Sequence, residues 1–243
     1  MPKVLLLEDE PLDSHFYSIF GEENVDVYES VESLRSSLSR ASISWDVAFL
    51  DFSLGEKSAY SGLSAFALLH EWSPRTRLVG LTNVDENGRT MFATAAYRWF
   101  GMRGLVHKPH ATKAHLLDIG RGGSAMPQAW TTKLSTDGWM IDHLFADEPW
   151  GRLWQATPRA QGIPESLGRL TGVGANYARR HFVEKAVPMV IQFAEAFKIE
   201  RSPTEKQQIV LTEFVASNRT FFMAPDLLDV LEIAKPWEQV SRA

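Results

Sequence analysis

The sequence predicts an α/β domain followed by an all-α domain. Short, fully apolar runs alternate with amphipathic stretches through the first half of the chain. A glycine cluster, Gly120-Arg121-Gly122-Gly123-Ser124, interrupts that alternation, and beyond it helical periodicity replaces the strand pattern. Strands alternating with helices imply parallel pairing through right-handed crossovers. Runs that are apolar on both faces suit a sheet covered by helices. The expected product of the first half is a doubly wound, five-stranded parallel sheet, with its ligands at the carboxyl ends of the strands.

Taken in order, Lys3–Leu7 reads as a buried strand and Pro11–Phe20 as a helix. Val25–Tyr28 reads as a short strand and Val31–Leu38 as a helix. Val47–Leu50 is a fully apolar strand, Leu63–Trp72 a helix that stops before Pro74, and Leu78–Leu81 another apolar strand. Thr90–Phe100 (helix), Gly104–His107 (strand) and Thr112–Ile119 (helix) complete the alternation. The first domain is therefore placed at 1–122, a linker at 123–148 and a helical domain at 149–243. Trp130, Trp139, Trp150 and Trp154 fall in a polar stretch read as irregular or partly helical. Further helices are expected at Pro149–Ala156, Pro164–Leu170, Asn176–Phe197, Pro203–Ser217 and Pro225–Ile233. The last two open with proline near the first turn, where its missing N–H costs nothing, whereas Pro188 inside the third is expected to kink or divide it.

Composition bounds the function. The chain has 243 residues, 44% apolar and 23% charged, as in an ordinary globular protein. It lacks cysteine, which excludes disulfides, thiol catalysis and cysteine-based metal sites. No apolar run is long enough to span a membrane, and the apolar N-terminus is too short for a signal-peptide core, so a cytoplasmic protein is expected. The net charge is −5, yet residues 150–185 hold six basic residues against two acidic ones. A local basic patch is the electrostatic footprint of a nucleic-acid-binding module, although a solvated helix face looks the same in sequence.

The strand ends carry the chemistry. Glu8 and Asp9 follow the first strand, Asp51 ends the third, Thr82 the fourth, and Lys108-Pro109 the fifth. In a doubly wound sheet these converge on one edge. Three carboxylates there repel one another unless a cation intervenes, and hard oxygen ligands with open positions suit Mg²⁺. A carboxylate beside that ion can act as a nucleophile and form an aspartyl phosphate. Any single piece, such as one Lys-Pro, is usually structural; the combination is what points to a site. The seven histidines include no zinc-protease pair, and His107 and His110, flanking Lys108-Pro109, read as surface or loop residues.

The motifs Val4-Leu-Leu-Leu-Glu8-Asp9-Glu10-Pro11, Val47-Ala-Phe-Leu-Asp51, Leu81-Thr82-Asn83 and Val106-His-Lys108-Pro109 together resemble the receiver domain of two-component response regulators. The resemblance covers about the first half of the chain. It implies a flavodoxin-like fold with Asp51 as phospho-acceptor. Mg²⁺ would be held by Glu8, Asp9, Asp51 and the backbone carbonyl of Ser53. Thr82 would be the switch hydroxyl and Lys108 the phosphate-pairing lysine. It also implies a cis Lys108–Pro109 bond and a sensor histidine kinase or phosphotransfer protein as partner. Three departures stand out: Leu105 where the family often has an aromatic residue, Asn83 where a smaller residue is common, and a loop from Phe52 to Gly62 about three residues longer than usual. That loop brings Glu56 and Lys57 toward the site.

In the second half, residues 162–183 read as two helices joined by the turn Gly172-Val173-Gly174, a helix-turn-helix. The second helix would present Asn176, Tyr177, Arg179 and Arg180, and arginine and asparagine suit guanine and adenine edges in the major groove. Ala178 and Phe182 would face the core, with Ile163, Leu167, Leu170 and Val173 beneath. The segment is similar to the LuxR-type helix-turn-helix of many response regulators. The apolar stripe Val187, Val190, Ile191, Phe193, Ala194 and Phe197 is read first as domain core and second as a homodimer helix. The expected protein is a phosphorylation-controlled transcription regulator acting on promoter DNA, with no membrane partner. The alternative is a receiver that gates a protein- or RNA-binding helical module. The chain is not expected to be an enzyme: an aspartyl-phosphate hydrolase would want a second aspartate two residues after Asp51, where Ser53 stands.

Overall fold

Val4–Leu7 forms β1, and all four side chains are fully buried, as a strand covered on both faces requires. β1 lies between β2 (Val25–Tyr28) and β3 (Val47–Asp51); β3 pairs with β4 (Arg77–Thr82), and β4 with β5 (Gly104–His107). Every pairing is parallel and the strand order is β2-β1-β3-β4-β5, the flavodoxin-like arrangement. The computed structural model describes residues 1–10, 12–38, 44–83, 88–203 and 206–241. Pro11, in the first of the four motifs, lies outside these.

The helices between strands are α1 (Asp13–Phe20), α2 (Val31–Leu38), α3 (Gly62–Trp72), α4 (Arg89–Phe100) and α5 (Lys113–Gly120). Phe16 and Phe20 of α1 and Leu116 and Ile119 of α5 join Val4, Leu6, Phe49, Val79 and Val106 in one core. On the sheet, residues two apart share a face, so Val4 and Leu6 reach this core together. Phe52 stacks between Phe66 of α3 and Phe92 of α4, with ring centroids 5.4 and 5.6 Å away. The Lys108–Pro109 bond is trans, contrary to expectation, and no described peptide bond is cis. Lys108–His110 forms a tight helical turn with Pro109 in its first positions, where a trans proline has the φ that the turn needs.

The chain divides into two compact units, Met1–Thr131 and Thr132–Ala243. The stretch 123–148, read as a linker, is largely folded: α6 (Gln128–Asp137) and α7 (Met140–His143) lie within it, and Leu134, Ile141, Leu144 and Phe145 are buried. Its polar surface residues hid the helical periodicity of these few apolar ones.

The second unit continues with α8 (Trp150–Ala160), α9 (Pro164–Thr171), α10 (Ala175–Tyr177), a wider-wound turn at Ala178–Val183, and α11 (Glu184–Phe197). α12 (Gln207–Ser217), α13 (Arg219–Phe222), α14 (Leu227–Ala234) and α15 (Pro236–Val240) follow. Thr204 and Glu205, in the expected Pro203–Ser217 helix, lie outside the described residues. Pro188 does not divide α11; the wider-wound Ala178–Val183 segment precedes it directly. Trp150 and Trp154 are core residues, and Trp154 meets Phe182, Phe214 and Phe222 at 4.8, 5.9 and 5.1 Å. Its indole N–H donates to the Leu144 carbonyl at 2.6 Å, which satisfies the polar end of a buried ring. Val187, Val190, Phe193 and Ala194 are buried in this unit, so the apolar stripe is spent on the core rather than on a dimer face. Leu170, expected beneath the helix pair, is instead 43% exposed.

Candidate functional site

Four strand ends build the site. β1 pairs in register with β3, which sets Glu8 and Asp9 beside Asp51 at the point where the strand order reverses. β3 pairs Asp51 with Leu81, so Thr82 stands one position beyond it on β4 and faces His107 on β5. Lys108 follows directly. Carboxylate oxygens of Glu8, Asp9 and Asp51 lie within 4.8 Å of one another, the one such metal-competent group among the described residues.

Lys108 holds the cluster together. Its Nζ donates to Asp51 Oδ2 at 2.7 Å and to Glu8 Oε1 at 2.9 Å. Side-chain exposure is 9% for Lys108, 0% for Glu8 and 3% for Asp51, so the pairing is almost dry. One lysine does not neutralise three carboxylates. Burial, and then the charge of Asp51, push the Glu8 carboxyl up to about 7 despite Lys108. Burial also raises Asp51, against the pull of Lys108 and the Ser53 N–H, which donates to Oδ1 at 3.3 Å. Burial alone would lower Lys108, but Asp51 and Glu8 outweigh it and hold its proton more firmly. The site therefore lacks positive charge. Glu8 Oε2 is buried with the Lys108 ammonium 2.9 Å away. An all-oxygen donor set of three clustered carboxylates served by a single lysine fits a hard divalent cation such as Mg²⁺.

The loop after Asp51 is closed by Gly62, a contact that the sequence reading missed. A Cβ there would meet the Asp51 carbonyl oxygen at 1.7 Å, so only glycine lets α3 start against the strand end. The Gly62 N–H donates to the Phe52 carbonyl at 3.1 Å. The longer loop leans on α2: Glu32 accepts from Ser58 Oγ and the Ala59 N–H, each at 2.9 Å. These hydrogen bonds outweigh partial burial and hold the Glu32 carboxyl below its ordinary value. Lys57, on the same loop, pairs with Glu29 at 3.3 Å.

In the second unit, Asn176, Arg179 and Arg180 are exposed on one helical segment, while Ala178 and Phe182 are buried, as the helix-turn-helix reading expects. Gly168 of α9 packs against the turn: a Cβ there would lie 2.5 Å from the Gly174 carbonyl carbon. Tyr177 is half-buried, and its hydroxyl donates to Asp147. Burial, then Asp147, raise its pKa. Arg179 pairs with Glu165, both more than half exposed.

No protein-family model matches the sequence, and no curated protein does. Among solved structures, the chain is similar to RcsB from Salmonella enterica serovar Typhimurium bound to promoter rprA in the presence of the phosphomimetic BeF3−. That match has 14% identity, covers 88% of this chain and 98% of the other, and has a TM-score of 0.46. It is similar to the receiver domain of NtrX from Brucella abortus at 19% identity, over 49% of this chain and 95% of the other, with a TM-score of 0.41. It is also similar to the response regulator DrrB from Thermotoga maritima, an OmpR/PhoB homologue, at 20% identity over 51% of this chain, with a TM-score of 0.37; it covers 55% of DrrB. These similarities are low, and the fold and the site rest on the chain's own geometry.

Proposed function

We propose that the chain is a two-component response regulator. Asp51 accepts a phosphoryl group from a sensor histidine kinase or phosphotransfer protein with Mg²⁺, and the helical unit binds promoter DNA. The observation that carries the first half is Lys108 bridging Asp51 and Glu8 where β1 and β3 end. An Asp51 carboxylate oxygen attacks phosphorus, the P–N bond of a phosphohistidine breaks, and its electron pair stays on the imidazole nitrogen, which takes up a proton. Lys108 then pairs with a phosphoryl oxygen, and the Thr82 hydroxyl donates to another. Glu8, Asp9, Asp51 and the Ser53 carbonyl would hold Mg²⁺, which would supply positive charge to offset that of the phosphoryl group. The chain is a phosphoryl acceptor rather than a turnover enzyme. Its partners lie in the cytoplasm, and no described helix is long and apolar enough to cross a membrane.

Incubation with acetyl phosphate and Mg²⁺ should add the mass of one phosphoryl group, removable by hydroxylamine and absent in Asp51→Asn. Labelling that persists in Asp51→Asn would refute the assignment. For DNA, exposed Asn176, Arg179 and Arg180 are the side chains suited to base edges and phosphates. Capture of discrete genomic fragments, lost in Arg179→Ala/Arg180→Ala and dependent on beryllofluoride, would support a regulator. Paired half-sites would then call for two copies of the chain. A second reading, a receiver gating a protein- or RNA-binding module, is favoured by the engagement of Tyr177 with Asp147; Arg179, though paired with Glu165, stays exposed. Absence of any captured DNA would shift the assignment to it.

A further inference from the structure

After α5 the chain turns back and runs along the free edge of β5. The Leu105 N–H donates to the Ala125 carbonyl at 2.8 Å, and Ala125 is buried against Gly104, where a Cβ would lie 2.2 Å from its own. Arg77 reaches under this strap, donating to the carbonyls of Ile119, at 3.0 Å, and Gly123. The strap is thus a held wall rather than a loose tail. Between it, β5 and the first turns of α4 and α5 lies a cleft of about 300 Å³, the lower end of the range for small-molecule sites.

The lining is chemically one-sided. Arg89, His107, His110, His115, Thr82 and Ser124 line the cleft, and no described lining residue is acidic. With the histidines neutral, Arg89 is the one formal charge among the described lining residues, and it is positive. The opposite wall is apolar: Met126, Pro127 and the Trp130 ring, over which the Arg89 guanidinium carbon sits 5.9 Å from the centroid. An arginine over an indole presents a cation beside a flat apolar surface. A transition metal does not fit as well. His107 and His110 place their Nδ1 atoms 3.1 Å apart and share that contact with each other, and no third ligand joins them within metal-site spacing among the described residues.

We propose that this cleft is a binding site for a small aromatic anion, a carboxylate or phosphate monoester. Its charge would be held by Arg89, with ring N–H groups of the histidines as further donors, and its ring would lie against Trp130. The proposal does not depend on the chemistry assigned to Asp51, because the site can be read by direct binding to the unphosphorylated protein.

The test titrates the full chain with phenyl phosphate, benzoate and inorganic phosphate, using benzyl alcohol and benzylamine as neutral and cationic controls. The readout is the Trp130 indole N–H resonance, identified by its loss in Trp130→Phe. At least one aromatic anion should bind with a dissociation constant on the order of 1 mM, as befits a ligand of so few atoms. The controls should bind about tenfold more weakly. Comparison of the three anions tells carboxylate from phosphate and shows whether the ring contributes. Arg89→Ala and His115→Ala should each weaken binding about fivefold or more. His115 lies within a helical turn and keeps its backbone hydrogen bond when truncated, so it serves if Arg89→Ala fails to fold. Aromatic anions binding no better than benzylamine, binding unchanged in a folded variant, or no saturable shift at roughly tenfold above the expected constant would each overturn the proposal.

Discussion

Replacing Lys108 by alanine removes the cation that holds two buried carboxylates. Glu8 and Asp51 are almost inaccessible to water, and Lys108 touches both, at 2.9 and 2.7 Å. Breaking a buried ion pair by deleting one partner costs about 3–5 kcal/mol, because the remaining charge is left uncompensated. Here part of that cost is avoidable, since Glu8 already titrates near 7 and takes up a proton when its cation is lost. The expected loss in Lys108→Ala, in metal-free buffer at neutral pH, is therefore about 2–3 kcal/mol. Magnesium should recover much of it, since a divalent ion compensates the same carboxylates. The assay is denaturant unfolding of the full chain with EDTA or with Mg²⁺. The chain has two units, so the relevant transition is the one that shifts when the ion is added. A cost below about 1 kcal/mol, equal with and without Mg²⁺, would show that the cluster is hydrated and that Lys108 does not organise it.

The raised Glu8 carboxyl predicts the pH dependence of the metal-free protein. Between its ordinary value of 4.5 and about 7 the folded state holds a proton that the unfolded state has released, so stability falls as pH rises through that window. The drop is at most about 3 kcal/mol; Mg²⁺ should flatten the curve, and a metal-free curve flat across the window would contradict the burial of Glu8. Gly62→Ala should lower phosphoryl uptake about tenfold or more and destabilise the first unit by about 1–3 kcal/mol, because its Cβ would overlap the Asp51 carbonyl oxygen; wild-type labelling by acetyl phosphate would refute that contact. Glu165→Ala should change stability by less than about 1 kcal/mol, since its pair with Arg179 is solvent-exposed. By freeing Arg179 it should strengthen DNA capture if that arginine contacts DNA; weaker capture would mean that the pair instead positions the helix.

The acidic cluster was legible because parallel strands convert sequence into position. An apolar run that ends in a carboxylate ends at the sheet edge, and Glu8, Asp9, Asp51, Thr82 and Lys108 each stand one or two residues past such a run. No long-range contact had to be known to bring them together. The second unit offered less, because helices bury a stripe rather than a run. Trp150 and Trp154 look like surface tryptophans in a polar stretch until Phe182, Phe214 and Phe222 close around Trp154 from distant helices.

The histidine-lined cleft was the least legible feature, and the reason is specific. His107, His110 and His115 are ordinary loop and helix residues when read along the chain. They become one wall only because residues past α5 return to cover the edge of β5 and set Trp130 opposite Arg89. That return depends on one backbone hydrogen bond to Leu105, on Arg77 reaching two carbonyls about forty residues away, and on Gly104 admitting Ala125. None of these contacts has a local pattern. The glycine cluster at 120–124, which marks a domain boundary in sequence, is in the fold the bend that makes the return possible. The first unit accordingly extends to Thr131, past the break that composition alone would draw.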